Sequence, residues 1–391
     1  MGTRALTLAV GVTVAGMIPG WLIGGLAVQL REEFLFDEFR LGLTAATFFA
    51  ASAVASIPGS RLVERVGWRR GAMLTSTISV AGLLLVATAV RSWPMLLTAM
   101  VFLGLGNSMS QPSANLLLAR TVLVGRRALA FGIKQSAVPL AATIVGVAVP
   151  LVAVTFGWRP TFAALALVGL AILVVLPGSG ALAPDAPLPA RTGRQPRDAP
   201  KPALLRLAAA SGFGTSAINI LLAFLVSYAV LVGLSPGQAG WLFGGVSGSA
   251  VVIRVVLGWL GDRHTGGHLR FIIIMMVAGA SGFLLLALSP TPAVVVVGAV
   301  LCGALGWSWN GLFILRIVDE FRSAPAAASG YVLGANYVGG VVGPLAFGAI
   351  VSQSSYRVGW LFAGSLMLFA AWFARRGRET LRSSAEERRE D

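Results

Sequence analysis

Long apolar runs recur along the whole chain, and they restrict its possible folds more than any other feature. Each run has roughly 20 residues, enough for a helix to cross about 30 Å of hydrocarbon. Lipid cannot hydrogen-bond an open sheet edge, so runs of this length are expected to be helices. We predict twelve membrane spans, at 5–30, 41–59, 71–91, 94–118, 128–154, 159–177, 204–231, 236–259, 270–289, 292–316, 325–352 and 357–374.

The composition also favours a membrane as the solvent. Hydrophobic residues make up 56% of the 391 positions and charged residues only 12%, whereas a soluble domain carries about 25% charged residues. The first run is too long for the apolar part of a signal peptide, so we interpret it as the first span. One cysteine, Cys302, and two histidines, His264 and His268, predict no disulfide, no metal site and no cofactor.

The basic residues predict how the chain is oriented. If both termini are cytoplasmic, 23 of the 30 Lys and Arg lie at the cytoplasmic face, 5 lie outside and 2 lie within the membrane. This positive-inside bias explains the net charge of +15 without a nucleic-acid partner. We therefore predict a multi-pass protein of the bacterial inner membrane, with the lipid bilayer around it and both termini cytoplasmic.

The two halves of the chain resemble copies of each other. Residues 178–203 are rich in Pro, Gly, Ala and Arg without a helical period, which predicts a cytoplasmic linker. An offset of 198 residues separates two pairs of positions: Glu64-Arg65 from Asp262-Arg263, and Gly132 from Gly330. Repeated halves are known among transporters. We predict a six-helix bundle over 1–177, the linker, a six-helix bundle over 204–374 and a cytoplasmic tail over 375–391.

Two short segments resemble a family motif. SRLVERVGWRR (60–70) follows predicted span two, and GWLGDRHTGGHLR (258–270) follows predicted span eight. Both are similar to the G-x-L-x-D-R-x-G-R-K loop of the major facilitator superfamily, although Glu64 replaces the Asp of the first copy. With the twelve spans and the linker, the resemblance covers the whole chain. It implies an all-helical transporter fold of two pseudo-repeated halves that acts as a monomer.

The resemblance also implies a gate at the cytoplasmic face. In the family, these loops help to hold the outward-open state through charge contacts. We would place Glu64 near the start of span three, where a helix N-terminus favours negative charge. The alternative is that the arginines only orient the chain. The predicted gate residues are Glu64, Arg65, Gly67, Arg69, Asp262 and Arg263.

Two departures from the family weaken a drug/proton antiporter interpretation. Many proton-coupled members have an Arg four residues before a G-x-G in span four, and Met100 stands there in this chain. Span five has Val138-Pro139 where drug antiporters typically carry a G-x-x-x-G-P run. The stretch GIKQSAVPLA (132–141) is instead similar to the cyanate-permease-like, small-anion branch.

Lys134 and Arg254 lie within predicted spans five and eight. A charge at that depth is unfavourable by roughly 3 kcal/mol, so it usually faces a wet cavity. All fifteen Asp and Glu lie in loops, at helix ends or in the tail, so the partner of these cations is expected to be an anionic substrate. The alternative is that both side chains snorkel or pack inside the protein.

Several uncharged residues extend this candidate site. Gly104, Asn107, Ser108, Gln111 and Asn115 recur at helical spacing in span four, which predicts either a cavity lining or a helix contact. The small residues of span eight predict a close helix contact on the face that carries Arg254. The predicted substrate-binding residues are Lys134, Arg254, Gln135, Asn107, Gln111, Asn115, Asn219, Trp307, Asn310, Asn336, Tyr337 and Trp21.

These features predict a secondary active transporter that takes up a small, anionic solute by alternating access, with a proton as candidate coupling ion. No phosphate-binding G-x-x-x-x-G-K-[ST] loop is present, so ATP-driven transport is not expected. Enzyme activity is not expected either, because the two histidines make a poor metal site and no Ser, His and Asp set can be placed within one cavity. Two alternatives remain open. One is efflux of drugs or metabolites by proton antiport, and the other is a membrane sensor that keeps the fold without transport.

Overall fold

The computed structural model describes residues 3–121, 127–179, 182, 200–261, 268–288, 291–321 and 325–390, and all regular structure in these ranges is helical. The spans, numbered in chain order, have the following bounds: one, Thr3–Gly25 with Ala27–Phe34; two, Glu38–Val66; three, Trp68–Ala89; four, Trp93–Asn107 with Ser110–Thr121; five, Arg127–Gln135 continuing as Ala137–Ala148, Val149–Ala153 and Val154–Phe156; six, Trp158–Val175; seven, Lys201–Leu231; eight, Pro236–Gly261; nine, His268–Leu288; ten, Pro292–Val300 with Leu301–Leu305 and Asn310–Glu320; eleven, Pro325–Gln353; twelve, Tyr356–Glu390.

The twelve-helix prediction is confirmed. Among the described residues, eleven helices are long and apolar enough to cross a membrane. Span four is the twelfth, and a turn at Ser108 and Met109 divides it into segments of 15 and 12 residues. An even number of crossings returns the chain to its starting side. We call that side of the bundle the terminal end and the opposite side the distal end.

Spans four and ten are both broken near their middles. The break in span four begins at Ser108, and the break in span ten begins 198 residues later, at Gly306. In span four the hydroxyls of Ser108 and Ser110 donate to the carbonyls of Leu105 and Asn107, a local hydrogen bond that competes with helix geometry. The shared offset supports the interpretation of the halves as copies, and broken helices in such folds often border a binding site.

Several helix ends differ from the predicted loops. Span two continues through the family motif to Val66, and the connection to span three is the single residue Gly67. Glu64 therefore lies in the last turn of span two, not near the start of span three. Span twelve continues as a helix to Glu390, across most of the predicted tail. Most of the predicted linker falls outside the described residues, and so do Asp262 and Arg263.

Two Gly-Trp-Arg turns begin spans three and six in the same way. Gly67 and Gly157 have φ of 90° and 92°, a region that glycine adopts without steric strain. In each case the tryptophan is the first residue of the following helix and is buried. The same local sequence thus makes the same reversal at the two ends of the first half.

The arginines of these turns cap each other's helices. Arg69, at the start of span three, donates to Leu176 O (3.1 Å) and Pro177 O (2.8 Å) at the end of span six. Arg159, at the start of span six, donates to Val90 O (2.9 Å) at the end of span three. Cations satisfy the last carbonyls of a helix. This reciprocity is expected if spans one to three and four to six are inverted copies.

Replacing Arg69 by methionine should lower the free energy of unfolding by roughly 1 kcal/mol, because two helix-end carbonyls lose a charged donor. Thermal unfolding of the purified protein measures this change. Arg70→Met is the matched control, since Arg70 is exposed and should leave stability unchanged. Unaltered unfolding of Arg69→Met together with altered transport would assign Arg69 to the gate alone.

The two halves meet closely at glycines. A β-carbon added at Gly24 in span one would overlap the carbonyl of Leu222 in span seven, and one at Gly42 in span two would overlap that of Pro344 in span eleven. Gly146 in span five meets Gly244 in span eight in the same way, so the small-residue face of span eight does contact another helix. Small residues allow backbones to approach where lipid gives no hydrophobic driving force.

Spans two and eleven separate towards the terminal end. Gly340, Pro344 and Gly348 of span eleven contact span two. Further along the same face, Tyr337 and Leu333 line a cavity instead. At Gly330 no described atom lies within 4 Å of an added β-carbon. Spans two and eleven therefore pack closely near the distal end, and this close contact does not extend to Gly330.

Candidate functional site

A cavity of about 120 Å³ lies between the two halves, midway along the helices. Spans one, two, four and five line it from the first half, and spans seven, eight, ten and eleven from the second. Both broken helices reach it. Its lining residues are Met17, Trp21, Phe49, Asn107, Gln111, Gln135, Val138, Thr215, Ile218, Asn219, Arg254, Trp307, Trp309, Asn310, Leu333, Asn336 and Tyr337.

Ten of the twelve predicted binding residues line this cavity, and Lys134 and Asn115 do not. The polar stripe of span four divides: Asn107 and Gln111 face the cavity, whereas Gly104 packs against span two. Thr215 also lines the cavity and was not predicted. It could have been predicted, because Ser211, Thr215 and Asn219 recur at four-residue steps and so share one helix face. No sequence pattern indicated that the remaining lining residues face the cavity; they are Met17, Phe49, Val138, Ile218, Leu333 and Trp309.

Lys134 lies directly behind the cavity wall. It is 1% exposed, and its ammonium group donates to Gln111 Oε1 and to Gln135 Oε1, the latter at 3.2 Å. An ammonium group only donates hydrogen bonds, so both amides must present their oxygens to Lys134. Their NH₂ groups are then left to donate elsewhere, and both glutamines line the cavity. Lys134 thus orients two donors and adds positive charge from behind them.

Arg254 joins the two halves. It is 4% exposed, and its Nη1 donates to the backbone oxygen of Gln135 in span five (2.8 Å), while its Nη2 donates to that of Trp307 in span ten (2.8 Å). Its guanidinium carbon lies 5.2 Å from the centre of the Trp307 ring, a cation–π distance. Among the described residues neither Arg254 nor Lys134 forms an ion pair with a carboxylate.

Pro139 explains why Gln135 offers a carbonyl to Arg254. In a regular helix, the N–H of residue 139 would bind the carbonyl of residue 135, and proline has no N–H. Span five accordingly has a turn at Ser136, between Arg127–Gln135 and Ala137–Ala148. The second carbonyl, of Trp307, belongs to the broken stretch of span ten. Two irregular helices thus supply the acceptors that hold the guanidinium.

Four buried polar atoms around the cavity have no hydrogen-bond partner among the described protein atoms. Three are donors, Trp21 Nε1, Trp309 Nε1 and Arg254 Nε, and one is an acceptor, Asn219 Oδ1. By contrast, Asn336 Oδ1 accepts from Ser211 (2.6 Å) and Thr215 (2.9 Å). A buried donor without a partner costs about 1–3 kcal/mol. The site therefore has an excess of donors that a ligand with acceptor atoms would satisfy.

Four of the six predicted gate residues lie within the described ranges. Glu64 and Arg65 are exposed at the terminal end. Gly67 makes the turn between spans two and three, and Arg69 caps span six within its own half. No group of three or more His, Cys, Asp or Glu suited to a metal occurs in the described ranges.

Comparison with known proteins identifies the family. The family model described as Major Facilitator Superfamily matches residues 8–322 and 204–390. This chain belongs to the major facilitator superfamily. Members of this superfamily are transporters, so the chain is a multi-pass membrane protein of a transporter family.

Three relatives have similar length. A chloramphenicol resistance protein of Streptomyces lividans is 28% identical, with 93% of each chain covered. An MFS-type efflux pump of Mycolicibacterium smegmatis is 26% identical, over 94% of this chain and 89% of that protein. A gentisate transporter of Corynebacterium glutamicum is 26% identical, over 88% of this chain and 82% of that protein.

Solved structures agree on the fold. The crystal structure of a bacterial homolog of the human lysosomal transporter Spinster, in an inward-facing and unoccupied conformation, matches with a TM-score of 0.77. The match covers 97% of this chain and 98% of that chain at 16% sequence identity. The occupied, inward-facing form of the same homolog matches with a TM-score of 0.74. At this identity the likeness establishes the fold alone.

Proposed function

We propose that this member of the superfamily is a secondary transporter that moves a small anion by alternating access through the central cavity. One observation carries the proposal. Three residues of the lining, Arg254, Trp21 and Trp309, each carry a buried N–H group without a partner among the described protein atoms, and Lys134 adds a charge behind the cavity wall. The described lining contains no Asp or Glu. A site with buried positive charge and free donors favours an anionic ligand.

The location of this site supports alternating access. Arg254 belongs to the second half, and the carbonyl of Gln135 that it contacts belongs to the first. A ligand bound at Arg254 therefore lies where the halves must move relative to each other. We place both termini in the cytoplasm of a bacterial cell, which makes the terminal end the cytoplasmic end.

The named relatives support two different substrates. The gentisate transporter carries an organic anion by its name, which agrees with the cationic site. The names of the chloramphenicol resistance protein and the efflux pump favour export of a drug, and the aromatic residues of the cavity would suit an uncharged compound. Efflux is therefore the second candidate, whereas the proposal favours uptake of the anion, with a proton as candidate coupling ion.

Ligand-induced thermal stabilisation separates these candidates. Purified protein is heated with a panel of small inorganic and organic anions, organic cations and neutral drugs. A ligand at one hundred times its dissociation constant stabilises a protein by about 2.7 kcal/mol. We expect stabilisation by anions only, and loss of the response in Lys134→Ala and Arg254→Ala. Stabilisation by neutral or cationic drugs that both variants retain would overturn the anion proposal in favour of efflux.

Flux in proteoliposomes tests transport itself. The stabilising anion, radiolabelled and placed outside, should accumulate in vesicles that contain the protein and not in empty vesicles. A matched control is the same protein with its cavity charge removed by Arg254→Ala. Binding without any flux, with or without a proton gradient, would contradict the transporter proposal and support a sensor.

A further inference from the structure

Four aromatic rings surround one side of the cavity; we call them the aromatic wall, and they are Trp21, Phe49, Trp307 and Trp309. Trp21 from the first half lies 5.6 Å from Phe49 and 6.0 Å from Trp307 of the second half, the latter pair nearly edge-on at 79°. Aromatic rings prefer such tilted or edge contacts, and a planar ring placed among them gains similar contacts.

The charged group lies beside this wall. Trp307 contacts Arg254 at 5.2 Å as well as Trp21 at 6.0 Å. Arg254 and the aromatic wall are therefore close enough for one small molecule to contact both. Its anionic group would lie at Arg254, and its body would lie against the rings. Two of the unpartnered donors, Trp21 Nε1 and Trp309 Nε1, belong to the wall itself. The wall thus combines aromatic rings with two buried N–H groups that lack an acceptor among the described protein atoms.

The volume limits the size of that body. The cavity measures about 120 Å³, and an apolar protein cavity of about 150 Å³ is known to accept one benzene molecule. A cavity of this size limits the ligand body to about one six-membered ring. Inorganic anions would leave the aromatic wall without a contact.

From these observations we infer that the site selects a single-ring aromatic carboxylate, with its carboxylate at Arg254 and its ring against the aromatic wall. This inference rests on the proposed anion transport and narrows its substrate class. Trp21 and Trp307 are the specificity-determining residues. Asn219 Oδ1, the acceptor without a donor, would accept from a hydroxyl group on the ring.

Four probes test the inference with the full-length protein in detergent. Benzoate has both ring and charge, cyclohexanecarboxylate has the charge on a saturated ring, acetate has the charge alone, and benzamide has the ring without charge. Dissociation constants come from thermal stabilisation or tryptophan fluorescence. Because aromatic contacts change affinity by roughly two- to tenfold, benzoate should bind at least threefold more tightly than cyclohexanecarboxylate, and benzamide should not bind measurably.

Variants of the wall residues test whether the aromatic wall causes the preference for benzoate over cyclohexanecarboxylate. Trp21→Leu and Trp307→Leu should reduce the preference for benzoate over cyclohexanecarboxylate to below twofold. Trp21→Phe keeps a ring without the N–H group, so it should keep the preference for benzoate while lowering the affinity for both ligands. This variant replaces the leucine variants in the test if they do not fold. Trp241→Leu is the matched control, since Trp241 is 53% exposed on span eight and does not line the cavity.

The possible outcomes separate the two proposals. Equal binding of benzoate, cyclohexanecarboxylate and acetate would overturn the aromatic inference and leave anion transport standing. Benzamide binding as tightly as benzoate would overturn both. An unchanged preference in Trp21→Leu and Trp307→Leu would show that the ring binds elsewhere, and the inference would be wrong.

Discussion

Replacing Arg254 by methionine should weaken anion binding by roughly ten- to hundredfold while leaving the fold intact. The substitution removes the charge that faces the cavity and the cation–π contact with Trp307. A charged hydrogen bond contributes about 1.5–3 kcal/mol, which corresponds to a loss of roughly ten- to hundredfold in affinity. Anion binding by thermal stabilisation and uptake by proteoliposomes measure the two consequences.

The stability of Arg254→Met should stay within about 2 kcal/mol of the wild type. A buried charge without a carboxylate partner costs several kcal/mol of desolvation, and the substitution relieves that cost. It also leaves the carbonyls of Gln135 and Trp307 without their donor. Each buried carbonyl without a donor lowers the stability by about 1–3 kcal/mol. The two effects have opposite signs and similar sizes. A collapse of the fold in Arg254→Met would show that the arginine is mainly structural.

Two further variants distinguish the effect of the Arg254 charge from the effect of its hydrogen bond to Gln135, which joins the two halves and is called the bridge. Arg254→Lys keeps the charge but has no planar fork with which to reach both carbonyls, so anion binding should weaken and not vanish. Pro139→Ala restores an N–H group that can bind the Gln135 carbonyl inside span five, which weakens the bridge while Arg254 keeps its charge. Pro139→Ala should therefore retain anion binding and alter the transport rate.

Adding a methyl group at Gly24 or Gly42 should block closure of the distal end. Each new β-carbon would overlap a backbone carbonyl of the opposite half, that of Leu222 or Pro344, and a backbone atom cannot rotate away. Overpacking of this kind costs about 1–3 kcal/mol, which changes the ratio of the two conformations by roughly five- to 150-fold. Transport should fall by at least tenfold in Gly24→Ala with Gly42→Ala.

Labelling from the distal side detects this change. A cysteine introduced by Leu333→Cys lies in the cavity, whereas the native Cys302 is fully buried. The double alanine variant should expose the introduced cysteine to a membrane-impermeant maleimide at the distal face. Gly245→Ala is the matched control, because no described atom lies within 4 Å of its β-carbon. Wild-type flux and labelling in the double variant would contradict the proposed closure.

Much of the candidate site could be predicted from residue type and depth. Polar residues such as Asn219 and Asn336 are conspicuous within apolar runs, because a polar group in hydrocarbon needs a reason to be there. The apolar lining residues Phe49 and Leu333 are not conspicuous, because the same side chains also face lipid elsewhere. Trp309 faces the cavity together with Trp307 because span ten is broken there, and helical periodicity predicts no such break.

The sequence by itself determined the twelve helices and the paired halves. Apolar length and the absence of hydrogen-bond partners in lipid leave no other structure for runs of this kind. The breaks in spans four and ten keep the same spacing of 198 residues, but neither break was predicted from the sequence.

Only the tertiary structure decided what the two buried cations do. Lys134 and Arg254 looked equivalent in sequence, each a charge within a span. In the folded chain, Lys134 lies behind two glutamines, while Arg254 lines the cavity and joins the halves through a carbonyl that Pro139 leaves free. The difference depends on which helices meet and on the direction of each side chain. These are set by contacts between residues 23 positions apart for Lys134 and Gln111, and 119 positions apart for Arg254 and Gln135.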